Sequence, residues 1–279
     1  MSTRPKHTTV PKLMVLALLL IGSSSLDAAG QVSSASPSSP PSQAVSADTI
    51  SFFQHYKTIA HKMNEKEISR AALATYDRAV DLLIAEKVDA TLDALEEALR
   101  TDIKNEECRV LWAPYGQLIY DQGQFKRGLT FLQNISLQYP KLAHVHTFLA
   151  STYGMYAGWL RNRDQKEMLK VSDQSLAEYE VALALDPNSF QALMGHAVYL
   201  TYVPGKDAVW EAEFRKLLAM RPGDLHGFPF TSVYSAFVAG LIRSGRESEA
   251  RLVLNEGLQL YPKSAGLQAL ETSLTKKNN

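Results

Sequence analysis

The chain has 279 residues, 46% of them hydrophobic and 21% charged, the balance of an ordinary globular protein. Lys plus Arg equals Asp plus Glu at 29 each, so no global field draws in nucleic acid or anionic lipid. The single cysteine, Cys108, excludes an intrachain disulfide and a cysteine-based zinc site, and reads as a half-buried thiol just before a helix.

Residues 1–29 have the pattern of an export signal. Arg4, Lys6 and Lys12 precede a nine-residue apolar run, Leu13–Ile21, and small residues with Ala28-Ala29 follow. The run is short of the roughly 20 residues that a spanning helix needs. No cysteine follows it, which excludes a bacterial lipoprotein anchor. Leu26 and Asp27 stand where a small residue is preferred for cleavage, so a short uncleaved anchor stays open as an alternative. The expected location is secreted or periplasmic, without membrane insertion after cleavage, or else held at the membrane by that segment. Residues 30–47, rich in Ser, Pro and Ala and uncharged, cannot bury enough surface to offset ordering and are expected to be a disordered linker.

Asp48 is a good N-cap, and Ile50, Phe53, Tyr56, Ile59, Ala60 and Met63 recur at helical spacing, predicting a helix over 49–64. A second helix is expected from Asn64 or Glu65 into 71–86. Residues 48–71 thus form N-terminal capping helices; covering the first repeat's open face is the simpler role, and binding a partner the other. A degenerate repeat follows at 72–105, with Ala79, Leu95 and Ala98 at repeat positions 8, 24 and 27, Leu82, Leu83, Leu92, Leu95 and Leu99 on its apolar stripe, and Asp93, Glu96, Glu97 and Arg100 on a solvated face.

The unit at 109–142 is the clearest. Trp112, Gly116, Gly123, Phe125 and Pro140 hold positions 4, 8, 15, 17 and 32 of 34. Gly123 permits a tight turn between two helices. Pro114 departs from the pattern: either the helix is kinked there, or it starts near Trp112. A third unit runs 143–189, and its closing Pro187 lies 47 residues after Pro140. The 13 extra residues fall near 157–170, most simply as longer helices and their loop. A fourth unit spans 190–224, turning at Val203-Pro204-Gly205. A fifth spans 231–264, after an apolar connection at 225–230, and a capping helix with a fraying tail fills 265–279.

These motifs resemble the tetratricopeptide repeat (TPR) family, over about 72–264. What carries the resemblance is four prolines that each end an amphipathic helix, at spacings of 34 plus a small insertion, with LDPN and YPKS as closing phrases. Another helical-hairpin repeat, stacked differently, is the rival. The resemblance implies an all-α, right-handed superhelical solenoid of antiparallel hairpins with capping helices at both ends. It resembles exported bacterial members in its N-terminus.

No Gly-rich phosphate loop, HExxH or GxSxG motif occurs. His144 and His146 are two apart, so on a helix they point in different directions. No enzyme activity, catalytic residue, cofactor or metal is expected. Arg161, Arg163 and Lys166 are interleaved with Asp164 and Glu167, which disfavours nucleic acid. Asn134-Ile135-Ser136 matches a glycosylation acceptor by chance, with Ile135 facing the core.

In the family the first helix of each unit lines a concave surface. Carried over, that gives Ala113, Gln117, Tyr120 and Asp121; His144, Thr147, Ser151 and Met155; and Ser232, Ser235 and Arg243. In the fourth unit Tyr199 and Tyr202 compete with Met194 and Val198. Each tyrosine is equally suited to core packing. Positions at which relatives clamp a terminal carboxylate largely lack Lys, Arg and Asn. The groove is instead expected to hold an extended or helical segment of a protein or peptide partner by aromatic contact and hydrogen bonds. The function expected is thus an exported interaction scaffold. The alternative is a structural subunit of an envelope transport or secretion complex that makes contact through the 157–170 projection. The oligomeric state is not legible.

Overall fold

The computed structural model describes residues 44–220 and 230–276. The signal-like segment, the linker up to residue 43 and most of the 225–230 connection lie outside the described residues. Among the described residues there are twelve α-helices and no strand. They are α1 (Ala47–Ala60), α2 (Arg70–Ile84), α3 (Val88–Asp102), α4 (Arg109–Gln122), α5 (Phe125–Gln138), α6 (Ala143–Leu160), α7 (Gln165–Leu185), α8 (Phe190–Leu200), α9 (Asp207–Met220), α10 (Thr231–Arg243), α11 (Glu247–Leu260) and α12 (Ala265–Lys276). A 3-10 turn, Glu106–Cys108, leads into α4.

From α2 to α11 the helices pair as five hairpins. The first members, α4, α6, α8 and α10, pack in succession on one another and form an inner layer; α3, α5, α7, α9 and α11 form the outer one. The outer helices keep an exposed face, whereas α6 is buried almost all round between four neighbours. The 13 extra residues of the third unit are built as length: α6 has 18 residues and α7 has 21. Gly123 closes α4 at φ 66°, a left-handed conformation that costs a glycine little.

Local chemistry moves several predicted boundaries. The N-cap of α1 is Ser46, which accepts from the Thr49 amide at 3.0 Å, not Asp48. Val45 before it is buried, so order begins ahead of residue 47. The next helix starts at Arg70 rather than Asn64, capped by Ser69 at the Ala72 amide. Asn64 instead folds the intervening turn by accepting from the Lys66 amide at 2.9 Å. Asn105 pins that turn to the end of α3, donating to the Lys66 and Glu67 carbonyls. Pro114 is the sixth residue of a helix that begins at Arg109, so the Val110 carbonyl lacks its usual donor. Cys108 is fully buried, not half-buried, and burial raises its pKa.

Glu96 is a further correction. Expected on a solvated face, it accepts from the Tyr115 hydroxyl at 3.1 Å and from Arg127 Nε at 2.8 Å. Arg127 also reaches Asp93, so the first and second hairpins share a polar tie that the apolar stripe does not encode.

The buried apolar side chains fall into two clusters, one from Val45 to Val171 and one from Leu193 to Leu274. Tyr179 of α7 lies at their junction, fully buried, its hydroxyl 3.0 Å from Ser151 Oγ. Burial pushes its pKa up to about 12, with the Ser151 bond acting against the rise. Gly195 of α8 faces it, and a Cβ added there would overlap the Tyr179 ring and hydroxyl. Ser175 adds a buried bond across the same hairpin, donating to the Ala150 carbonyl at 2.8 Å.

Candidate interaction surface

The inner layer is interrupted near its start. Where later inner helices pack directly on one another, α1 packs against both α2 and α4. Phe53, Tyr56 and Ala60 of α1 are buried, and the Tyr76 hydroxyl on α2 donates to the Phe53 carbonyl at 3.0 Å. Thr49 Oγ1 donates to Asp121 Oδ2 on α4 at 2.7 Å. Gln117 donates to the other oxygen, Oδ1, at 2.8 Å. Thus Gln117 and Asp121, expected to face a partner, are engaged by each other and by the chain's own N-terminal helix. Burial raises the Asp121 pKa, opposed by these two hydrogen bonds, and the nearby Asp48 adds to the rise.

On α6 four expected groove residues are buried. His144 is 8% exposed, its Nε2 lies 2.7 Å from the Ile103 carbonyl, and its ring packs edge-on against Phe148. Thr147 is 2% exposed and donates back to the Ala143 carbonyl. Ser151 is spent on Tyr179. Met155 is likewise buried. Side chains placed on an inner line by repeat position are therefore consumed by helix-to-helix contact wherever neighbours approach closely. On α8 Met194 and Val198 are buried and Tyr199 is half-exposed, as is Tyr202 in the turn just after the helix. On α10 Ser232 is buried, while Ser235 and Arg243 are half-exposed.

Much of what remains accessible on the inner helices concentrates in their last turns. Tyr120, in the last turn of α4, lies beside Phe125, their ring centroids 6.1 Å apart. Tyr156 and Trp159 of α6 pack on the same Phe125 at 5.0 and 5.8 Å. Arg163 lies 4.3 Å over the Trp159 ring, and Arg243 lies 4.2 Å over that of Tyr202. The result is a rim of aromatic rings and guanidinium groups. Trp159, Tyr156 and Arg163 are absent from the groove residues that repeat position supplies, because 157–170 reads as added helix length and, in the alternative function, as a contacting projection rather than as part of the groove. Its Trp and Arg content was the available signal.

The two histidines of the H-x-H pair have different partners and opposite shifts. Burial lowers the His144 pKa. The Glu178 carboxylate raises that of His146, whose Nδ1 is 2.7 Å from Glu178 and whose Nε2 is 3.1 Å from the Pro140 carbonyl. Both His146 nitrogens meet acceptors, which suits the doubly protonated ring. Its stabilisation is therefore full below the unfolded pKa of about 6.5 and lost as pH rises through the raised folded value. Melting curves should show His146→Gln destabilised relative to the wild type in mild acid, with the gap narrowing above neutrality. A gap that widens with pH would contradict the assignment. Among the described residues no group of three His, Cys, Asp or Glu side chains could hold a metal ion.

No protein-family model matches the sequence. No curated protein matches it either. Among solved structures, the chain is similar to TTC0263, a thermophilic TPR protein of Thermus thermophilus, at TM-score 0.55 and 18% identity, over 73% of this chain and 98% of that one. It is also similar to the MamA protein, at TM-score 0.44 and 16% identity, over 73% and 96% of the two chains.

Proposed function

From a chain with the tetratricopeptide-repeat fold, we propose a non-enzymatic scaffold that binds a segment of a partner protein along its inner surface, over α6, α8 and α10. The observation that supports this most is the rim itself. Tyr120, Trp159, Tyr199 and Arg243 stay partly accessible on the inner helices, as does Tyr202 just past the end of α8. Rigid aromatic side chains of this kind give a large contact area at low entropic cost. The N-terminal part of the inner surface is taken by α1, which leaves the sector after α4 for a ligand. The signal-like start supports an exported protein, with the partner in the periplasm or outside the cell.

Capture of partners from the native compartment tests the reading. Tyr202→Ala and Trp159→Ala should each weaken capture about tenfold or more, the size expected for an aromatic hot spot. Leu252→Ala, on the outer face, should leave it unchanged. Equal capture by all three variants would refute the inner surface as the binding face.

A further inference from the structure

Arg243, the last residue of α10, is a half-buried charge with no carboxylate in ion-pair range among the described residues. Its Nη2 donates to Thr201 Oγ1 at 2.6 Å, and its Nε is buried with no partner. Its guanidinium covers the Tyr202 ring, and Arg161, from the end of α6, adds a second positive charge nearby. Burial first, and then Arg161, lower the Arg243 pKa. An arginine keeps its proton at neutral pH, so the shift reports unfavourable electrostatic energy at this position. Three other arginines, by contrast, sit in ion pairs. Arg127 meets Asp93 and Glu96, Arg246 meets Glu211 and Glu249, and Arg251 meets Glu247.

We propose that the rim at the ends of α6, α8 and α10, centred on Arg243 and Tyr202, receives a carboxylate side chain from an acidic partner segment. The proposal rests on the reading that such a segment lies along the inner surface, and adds its chemistry. A carboxylate is the small planar anion that a guanidinium fork matches, and it would supply the countercharge that Arg243 lacks among the described residues. A polyanion such as nucleic acid would need a basic track, which a chain balanced at 29 positive and 29 negative residues does not offer. Tyr202 would orient the anion through its hydroxyl while its ring keeps the guanidinium in place.

The test uses the full chain, fluorescence anisotropy at low ionic strength, and a labelled peptide alternating glutamate and leucine beside its glutamine twin. The glutamate peptide should bind at least about tenfold more tightly, and Arg243→Gln should remove that preference, as loss of a charge-assisted hydrogen bond implies. Arg215→Gln, whose arginine already pairs with Glu211 at 2.7 Å, should retain it. The melting temperature of Arg243→Gln should be no lower than that of the wild type, because the charge removed has no counterion among the described residues. Inorganic phosphate should displace the peptide no better than chloride at equal ionic strength. Equal affinity for the two peptides, or a preference that survives Arg243→Gln, would overturn the proposal; so would selective displacement by phosphate. A lower melting temperature with an unchanged preference would make Arg243 an internal tie to Thr201, and would also overturn it. If a native partner needs Tyr202 but not Arg243, the carboxylate site fails while the inner-surface reading stands.

Discussion

Gly195→Ala is expected to destabilise the chain by about 3 kcal/mol, the cost of forcing extra volume into a packed interior. The added methyl group would meet the ring and hydroxyl of Tyr179, which is fully buried. A helix normally gains up to about 1 kcal/mol when alanine replaces glycine, so a net loss would identify packing as the dominant effect. The site also matters for cooperativity, because Tyr179 and Gly195 meet where the two apolar clusters join. In a stacked array, stability is close to a sum of unit and interface terms. Weakening this interface should therefore split the melting transition into two, each half unfolding at its own temperature. Calorimetry would show the split. A single transition at or above the wild-type temperature would contradict the described junction.

Phe53→Ala should cost about 3–5 kcal/mol, the range for removing a buried aromatic side chain. Phe53 is fully buried, stacks near Tyr76 with centroids 6.4 Å apart, and its carbonyl receives the Tyr76 hydroxyl. The loss should be local. Hydrogen exchange should accelerate in α1 and in the facing parts of α2 and α4, with α8 to α11 unchanged. Exchange unchanged in α2 and α4 would mean that α1 merely decorates the array. The result bears on function, because α1 is what closes the inner surface next to Gln117 and Asp121.

The hairpin array was legible because each unit carries its own punctuation. Pro140, Pro187 and Pro262 follow ended helices (the fourth, Pro222, lies outside the described residues), Gly123 and Gly245 adopt positive φ at turns, and Ala79, Leu95 and Ala98 at their repeat positions are buried. Such signals are local, so a single sequence can carry them. The accessible surface was less legible, since it depends on contacts between distant residues. His144 is bonded to a carbonyl 41 positions away, and Thr49 to a carboxylate 72 positions away. A helical period reveals that a face is buried, but not which neighbour buries it. For that reason α1 reads as an end cap on the first repeat, whereas it packs on both α2 and α4. For the same reason His144, Thr147 and Ser151 read as groove residues and are packed inside. Tyr199 and Tyr202 were distinguished from Met194 and Val198 only by the packed structure.

The most direct test of the inner surface as the binding face is site-specific photo-crosslinking in the native compartment. A photoreactive residue would replace, one at a time, Tyr202 on the inner rim, Leu169 on the lengthened α7 and Leu252 on the outer layer; the last two are 55% and 69% exposed. Crosslinks to a common partner from position 202, and not from 252, are the predicted result. Crosslinks confined to position 169 or 252, with none from 202, would contradict it and move the interaction to the projecting helix ends or the outer face.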